Sequence, residues 1–290
     1  MYIDIFGKKR QKVGLHIHTN LSDGKKTPAE VAEVYKAAGY DAIAVTDHWH
    51  YYRSGEIGGL RVISGIEYDI GGKATENGVY HIVGLFAKND PDVKKGEDGV
   101  QTVIDKIHKA GGLAVLAHPA WSLNTPEMIM KLRDVDATEI YNSVSAVGQS
   151  FRPDSSLLID MVAAQGRDYP LLATDDTHYC NGIDNCIAYI MVESDSTDPE
   201  KIKEAIINRR FYATQGPEIH LSRDGDKFRV DCSPVSSIYF ASNTAWCPRT
   251  AKGEKITSAE YTPVPSDNFV RAFVVDENGR TAWSNIIPLR

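Results

Sequence analysis

The chain has 290 residues, of which 42% are hydrophobic and 24% are charged. This is the composition of a globular protein, and it excludes disorder, collagen-like sequence and coiled coil as the overall class. The formal net charge of -7 argues against bulk electrostatic attraction to nucleic acid or to anionic membranes.

The first two thirds of the chain alternate between apolar runs and helix signals. The first predicted strand, at 13–17, precedes a helix that begins at Thr27-Pro28-Ala29-Glu30, where threonine and glutamate form a capping box. Such alternation indicates an α/β domain with a largely parallel sheet, either open or closed into a barrel. The other predicted elements are strands at 42–46, 61–66, 80–86, 113–117, 137–141, 171–174 and 187–192, and helices at 99–110, from 125 onward, at 155–165 and at 198–209.

The pattern changes after Gly216-Pro217, where short β-like runs alternate with turns and no capped helix is predicted. We therefore predict two domains, a first one at residues 1–216 and a small antiparallel, sandwich-like β domain at residues 217–290. The predicted strands of this second part lie at 219–222, 227–231, 237–241, 269–275 and 282–288.

The four cysteines, Cys180, Cys186, Cys232 and Cys247, match neither a paired CxxC zinc site nor a dense disulfide framework. We expect a reduced, cytoplasmic protein, and a Cys180–Cys186 disulfide stays open as an alternative. We expect no secretory signal in the first ten residues and no membrane partner, since no apolar stretch is long enough to cross a bilayer. The sequence leaves the oligomeric state open.

Histidines and carboxylates recur where the predicted strands end. Ligands bind at this edge of a parallel sheet or barrel because the strand-to-helix loops converge there. A simple turn would explain Asp23 alone, and a helix cap would explain Asp47, but the adjacent Asp175 and Asp176 repel each other without a cation. Imidazole and carboxylate suit zinc, iron and manganese, so the pattern predicts a site for several metal ions. Its members are His16, His18, Asp47, His48, Glu67, His118, Asp175, Asp176 and His178, with His81 at the start of a run instead of its end.

The same residues, in chain order, resemble the motifs of the PHP (polymerase and histidinol phosphatase) domain. A weaker resemblance, carried by residues 210–218 and by Ala282-Trp283-Ser284-Asn285, is to the carbaryl-hydrolase-like subgroup. The PHP-like motifs are His16-x-His18, Asp23 in a Ser-Asp-Gly turn, Thr46-Asp47-His48, Gly65-Ile66-Glu67, His81, Ala117-His118-Pro119 and Asp176-Thr177-His178.

The resemblance implies a distorted (β/α)7 barrel, followed by the small β domain, with two or three divalent ions (manganese, zinc or iron) at the carboxyl ends of the strands. The D-x-H spacing of the family favours Asp176 over Asp175 as a ligand, which leaves Asp175 and Asp47 to act on the ligands or the substrate. The implied ligand sets are His16, His18, Glu67 and Asp176 for one ion, Glu67, His81 and His118 for a second, and Asp23, His48 and His178 for a third.

Clustered divalent ions lower the pKa of a bridging water towards about 7. We therefore expect a phosphoesterase that cleaves a small-molecule phosphate ester, a nucleotide or sugar phosphate, by attack of a metal-bridging hydroxide. The third ion would stabilise the leaving group, or His178, Asp175 or His50 would protonate it. Arginine and lysine bind anionic oxygens, and the candidate residues for the substrate are Arg53, Lys73 and Arg152.

Two alternatives stay open. The first is hydrolysis of a carbamate, ester or amide at the same ions, because a metal hydroxide also attacks carbonyl carbon. The second is a non-catalytic metal-binding module, against which the complete ligand set argues. A polymeric nucleic acid is not expected as a partner, because the chain is acidic and has no polymerase region.

Overall fold

The structure is a computed structural model that describes residues 2–71, 78–147, 150–246 and 248–289. Within these ranges the chain has a mixed α/β fold in which sheet predominates. In chain order the elements are β1 (Tyr2–Ile3), β2 (Lys9–Gly14), α1 (Pro28–Ala37), β3 (Ala42–Ala44), β4 (Gly55–Ile57), β5 (Leu60–Ile63), β6 (Gly65–Ile70), β7 (Tyr80–Leu85), α2 (Val100–Lys109), β8 (Leu113–Leu116), α3 (Pro126–Lys131), β9 (Ala137–Asn142), α4 (Ser156–Ala164), β10 (Leu171–Thr174), β11 (Tyr189–Glu193), α5 (Pro199–Ile207), β12 (Phe211–Thr214), β13 (Ile219–Asp224), β14 (Lys227–Ala241), β15 (Thr250–Tyr261), β16 (Phe269–Val275), β17 (Thr281–Trp283) and β18 (Ile287–Pro288).

Three helices begin where the sequence predicts helix caps. The Thr27 hydroxyl accepts a hydrogen bond from the Glu30 backbone N–H at 3.3 Å, and the Glu30 carboxylate accepts one from the Thr27 backbone N–H at 2.8 Å. Thr125 and Asp198 cap α3 and α5 through their side chains, and a proline follows each of them. These caps satisfy backbone donors that lack a partner within the helix, which fixes where each helix starts.

The strands form two sheets, and both edges of the smaller sheet are bridged to the segments that follow β2 and β3 inside the larger sheet. The larger has the order β13-β14-β16-β17-β12-β11-β2-β3-β5-β4, and the smaller has the order β10-β9-β8-β7-β6. Isolated bridges connect Ile17 with Thr177 and His48 with Glu67. Strands β2, β3, β6, β7, β8, β9 and β10 are thereby linked in a ring.

The expectation of a largely parallel sheet is wrong for β11, which pairs antiparallel with β2 and β12, and for β7, which pairs antiparallel with both β6 and β8. The segment between Ile70 and Tyr80 is shorter than the dozen or so residues that a parallel crossover needs, so β6 and β7 form a hairpin. Because β7 runs in the opposite direction, its first residues lie at the rim where the parallel strands end. This reversal brings His81 to that rim.

The chain beyond Gly216 forms the antiparallel strands β13 to β18, with no helix among the described residues. Two runs that were predicted separately form the single strand β14, whose register shifts near Val235. The sequence does not predict β15, because this strand pairs with β14 and is mostly exposed, and its polar residues lack a buried apolar face. The larger sheet continues across residue 216 through the pairing of β12 with β17, and a domain boundary at that position stays a prediction.

Two contacts join β16 and β17 to the α/β part of the chain. Trp283 of β17 stacks on Tyr141 of β9, with ring centroids 5.5 Å apart. Arg271 of β16 is 1% exposed and donates from Nε and Nη2 to both carboxylate oxygens of Asp160 in α4, at 2.6 and 2.7 Å. Trp283 also belongs to the apolar cluster that contains Ile140 of β9. The C-terminal strands therefore share a core with the α/β part.

Cys180, Cys186 and Cys232 are free thiols, so the structure does not contain the alternative Cys180–Cys186 disulfide. Cys247 lies outside the described residues. None of the helices in the described ranges combines the length and the apolar character that crossing a bilayer requires.

Candidate metal centre

The histidines and carboxylates that follow the predicted strands meet at one rim of the ring. Parallel strands contribute side chains just beyond their carboxyl ends, and the β6–β7 hairpin contributes two more. The side chains form three groups, and in each group the donor atoms lie within 4.8 Å of one another. The groups are His16, His18, Glu67 and Asp176; His48, Glu67 and His81; and His18, Asp23, His48 and His178.

Glu67 lies at the centre of the site and is 1% exposed. Both of its carboxylate oxygens face imidazole nitrogens, at distances of 2.9 to 3.4 Å. Oε2 faces His16, His18 and His48, and Oε1 faces His81 and His118. A carboxylate that faces donors on both sides is suited to bridge two cations.

The first group has the spacing of ligands around one cation. The Nε2 atoms of His16 and His18 are 3.2 Å apart, and they lie 3.2 and 3.1 Å from Asp176 Oδ1. Tetrahedral ligands bound to one zinc ion at about 2.0–2.2 Å lie about 3.3–3.6 Å from each other, and the distances here are slightly shorter than that. Asp176 Oδ1 is buried, and its contacts with the two imidazole nitrogens lack hydrogen-bond geometry. A divalent ion would satisfy this oxygen, so the residues fit a metal.

The electrostatics of the group agree with this assignment. Burial lowers the pKa of His16 and of His18, but the neighbouring carboxylates outweigh burial and raise both pKa values well above the usual range. Burial raises the pKa of Glu67, and the surrounding imidazoles outweigh it and hold this pKa well below the usual range. The carboxylates are therefore ionised, and a metal ion that binds here displaces protons from the imidazoles.

Asp23 completes the third group. Its carboxylate lies 3.4 Å from both His18 Nδ1 and His178 Nε2, and 3.9 Å from His48 Nε2. His178 Nδ1 donates to the backbone carbonyl of Asp176 at 2.8 Å, so Nε2 of the neutral ring carries the lone pair. The Nε2 lone pair of His178 therefore points towards the Asp23 carboxylate, an arrangement in which both groups could bind the same ion. The structure thus adds His18 to the third implied ligand set. In the second set it groups His48 with Glu67 and His81, while His118 lies outside the three groups, 3.4 Å from Glu67 Oε1.

Glu139 of β9 orients two of the donors, although the sequence pattern did not point to it. Its Oε1 atom accepts a hydrogen bond from His16 Nδ1 at 2.7 Å, and its Oε2 atom accepts one from the His118 backbone N–H at 2.8 Å. The first bond directs the His16 Nε2 lone pair towards Asp176 and Glu67. The available signal was a glutamate in the middle of a predicted strand, since a buried carboxylate needs partners.

Replacing Glu139 with glutamine should weaken metal binding by about 10–100-fold. The amide keeps the size of the side chain but no longer offers a carboxylate to His16 Nδ1. Dissociation constants for Zn²⁺ or Mn²⁺, measured against a competing chelator, check this expectation. Glu127→Gln, at the exposed first turn of α3, is the matched control. Equal metal affinities in the two variants would contradict an orienting role for Glu139.

His118 and Asp176 have positive φ angles of 27° and 53°. Residues with a Cβ atom rarely adopt this region, at a cost of about 1–3 kcal/mol each. Hydrogen bonds hold both residues in place, from the His118 N–H to Glu139 and from the Asp176 N–H to the His16 carbonyl at 2.9 Å. The strained backbone therefore lies at two of the candidate ligands.

Asp47 and Asp175 hold loops and do not line the cavity of the site. Asp47 accepts hydrogen bonds from the Thr19 backbone and hydroxyl and from the Ser22 hydroxyl, which fixes the turn that carries Asp23. Burial raises the pKa of Asp175 to about 6, and hydrogen bonds from the Tyr35 hydroxyl and from backbone amides oppose the shift. The expectation that Asp175 protonates a leaving group does not fit, because these donors occupy both of its oxygens.

The donor groups open into a cavity of about 370 Å³. Trp121 lies in its wall and contacts His81 and His118 edge to face, with centroids 5.5 and 5.0 Å apart. Besides the donors, the lining consists mainly of Lys25, Trp121, Val144, Ser145, Val147 and Tyr179.

The substrate-binding residues expected from the sequence are not brought to this cavity. Arg53 and Arg152 are exposed and do not line it, and Lys73 lies outside the described residues. His50, one of the candidate acids, is also exposed and absent from the lining. Lys25, which follows the Ser-Asp-Gly turn directly, lines the cavity instead.

Comparisons with known proteins agree with this geometry. The model of the family described as PHP domain matches residues 14–152. An uncharacterized protein of Methanocaldococcus jannaschii is 32% identical over 146 residues, which make up 46% of this chain and 82% of that protein.

Among solved structures, one match is a two-domain protein of Bacteroides vulgatus that contains a predicted PHP-like metal-dependent phosphoesterase. The TM-score is 0.56 at 17% identity, and the match covers 96% of this chain and 93% of that one. At this level of identity the likeness concerns the fold.

Proposed function

The chain belongs to the PHP domain family, and on this basis we propose that it is a metal-dependent hydrolase that cleaves small-molecule phosphate esters. One observation carries the proposal, namely that the Glu67 carboxylate faces five imidazoles at 2.9 to 3.4 Å beside the buried carboxylate of Asp176. We also infer that the ring of seven strands is the distorted (β/α)7 barrel of the family, with residues 217–290 as a small β domain.

We assign two to three divalent ions to this centre, of manganese, zinc or iron, because nitrogen and oxygen donors suit all three metals. Glu67 would be shared between two of the ions, since its oxygens face different imidazoles. The assigned ligands are His16, His18, Asp23, His48, Glu67, His81, His118, Asp176 and His178.

When bound, such ions lower the pKa of a water molecule towards about 7 and offset the negative charge of a phosphate in the transition state. The residues of the chain hold the donors in place, with Glu139 orienting His16 and Asp47 fixing the turn of Asp23. Of the three acids expected from the sequence, His178 is the one that lines the cavity. It can protonate a leaving group only while its Nε2 atom is not bound to a metal.

A second candidate is hydrolysis of a carbamate, ester or amide at the same ions. The cavity lining favours it, because Trp121, Val144, Val147 and Tyr179 lie there while Arg53 and Arg152 do not. The sequence resemblance to the carbaryl-hydrolase-like subgroup favours the same reaction. The complete donor set argues against a non-catalytic module.

Turnover of p-nitrophenyl phosphate and of p-nitrophenyl acetate separates the candidates. After reconstitution with manganese, zinc or iron, we expect faster hydrolysis of the phosphate, because its charge is attracted to the ions. Chelator-treated protein is the control and should cleave neither ester. Faster hydrolysis of the acetate would support the carbonyl reaction, and metal binding without any turnover would support the non-catalytic module.

The natural substrate in this proposal is a nucleotide or sugar phosphate and not a polymeric nucleic acid, in line with the net charge of -7. The proposed location is the cytoplasm, in line with the three described free thiols.

A further inference from the structure

One charged residue of the cavity has no assigned role. Of the residues that the structure describes, Lys25 is the one lysine or arginine in the lining. The carboxylates of the lining, which belong to Asp23, Glu67 and Asp176, are all members of the donor groups. Lys25 is therefore the charged side chain of this cavity that remains available for a substrate.

Lys25 is held in a fixed position relative to the donors. Its backbone N–H donates to the carbonyl of His178 at 2.8 Å, and the N–H of Gly24 donates to the carbonyl of Thr19 at 2.9 Å. A Cβ atom at Gly24 would lie 2.7 Å from backbone atoms of His18, so the turn packs directly on the segment that carries the first donors. The distance between the Lys25 backbone and the third donor group is thus fixed by the fold.

The ammonium of Lys25 is available for binding. The residue is exposed to solvent, and no carboxylate in the described part of the chain forms a salt bridge with it. The carboxylate of Asp23, two residues earlier, is directed at His18 and His178 instead. When an exposed lysine binds an anion at the mouth of a cavity, the free energy of desolvating its ammonium is small.

We propose that Lys25 binds a terminal phosphate and makes the site selective for phosphate monoesters over diesters. This inference rests on the proposed phosphoesterase function. A terminal phosphate carries about two negative charges near neutral pH and three free acceptor oxygens. A diester has one negative charge and two free oxygens, so once the metal centre has bound two oxygens, only the monoester has a third one for Lys25.

The test compares Lys25→Gln with Lys25→Arg and with Lys26→Gln, a neighbouring lysine that does not line the cavity. Metal-loaded proteins are assayed with p-nitrophenyl phosphate, bis(p-nitrophenyl) phosphate and the neutral p-nitrophenyl acetate. Lys25→Gln should lower kcat/KM for the monoester by about 10–100-fold, the range of a lost charge-assisted hydrogen bond. Hydrolysis of the diester should fall much less, that of the acetate should not change, and arginine should restore part of the loss.

Binding of inorganic phosphate and of dimethyl phosphate to the metal-loaded proteins, measured by calorimetry, gives a readout independent of turnover. Lys25→Gln should weaken the binding of inorganic phosphate and leave the binding of dimethyl phosphate unchanged. Equal losses for monoester and diester, or no loss at all with metal content unchanged, would overturn the role of Lys25. If the unaltered protein cleaves the acetate but neither phosphate ester, the proposed function itself is wrong, and the role of Lys25 is wrong with it.

Discussion

Replacing Glu67 with glutamine is expected to lower phosphate ester hydrolysis by about 10³-fold. Metal ions contribute several kcal/mol of transition-state stabilisation, and about 1.4 kcal/mol corresponds to a factor of ten in rate. The amide keeps the shape of the side chain but removes the negative charge between the imidazoles of His16 and His81. The measurements are kcat/KM for p-nitrophenyl phosphate and metal content by elemental analysis. His118→Ala, which removes the imidazole 3.4 Å from Glu67 Oε1, should also lower both activity and metal content.

The control for this experiment is Glu56→Gln, an exposed glutamate on β4, which should retain both activity and metal. Circular dichroism of the Glu67 variant distinguishes a lost metal centre from a lost fold. Turnover that persists in Glu67→Gln with a full complement of metal would show that Glu67 is not a ligand.

Replacing Asp160 with alanine is expected to lower the free energy of unfolding by about 3–5 kcal/mol. The change leaves the guanidinium of Arg271, which is 1% exposed, without its bidentate carboxylate. Arg271 Nη1 already lacks a hydrogen-bond partner within the described ranges, and the Phe273 ring, with its centroid 5.6 Å from Arg271 Cζ, does not replace a carboxylate. Urea unfolding, followed by tryptophan fluorescence, measures the loss.

Replacing the arginine of the pair instead distinguishes the cost of an unpaired buried charge from the cost of a lost contact. Arg271→Met should cost less, because the side chain of Asp160 is 20% exposed and can rehydrate. The double variant should recover stability relative to Asp160→Ala, since it contains no unpaired buried charge. Arg229→Met, which breaks an exposed pair with Asp231, should have little effect. Strictly additive losses in the double variant would contradict this explanation.

The sequence pattern points to side chains that the structure brings together, because these side chains follow strand ends, which short apolar runs and helix caps mark clearly. His81 is the informative exception. It lies at the start of its run, and only the reversal of β7 in the β6–β7 hairpin brings it beside Glu67. The direction of a strand depends on the length of its connection and on its partners, and the apolar pattern alone does not encode it.

Residues that act on the donors were harder to predict than the donors. Glu139 lies inside a strand and not at its end, so the strand-end pattern does not include it. It nevertheless accepts hydrogen bonds from both His16 and His118. Its role follows from the packing of β9 against neighbouring segments, which depends on contacts between residues that are far apart in sequence.

The side chains that could bind a substrate were the hardest to predict from the sequence. Arg53 follows a strand-end motif, but Tyr52 bridges to Gly65 and the chain then enters the β4–β5 hairpin, which leaves Arg53 in solvent. Lys25 follows a tight turn that is hydrogen-bonded back to the strand ends. The direction of a loop decides which lysine or arginine side chain reaches the cavity, and the residue type does not reveal that direction.

The pairing of β12 with β17 has a consequence for the autonomy of the metal-binding half. Trp283 of β17 stacks on Tyr141, and the adjacent Asn142 donates from its amide to Asp176 Oδ2 at 3.1 Å. The far end of the polypeptide is thus two side-chain contacts away from a candidate ligand. A transplant of the centre into another scaffold would have to carry these last strands along, because the excised first part would lose both a sheet neighbour and this support.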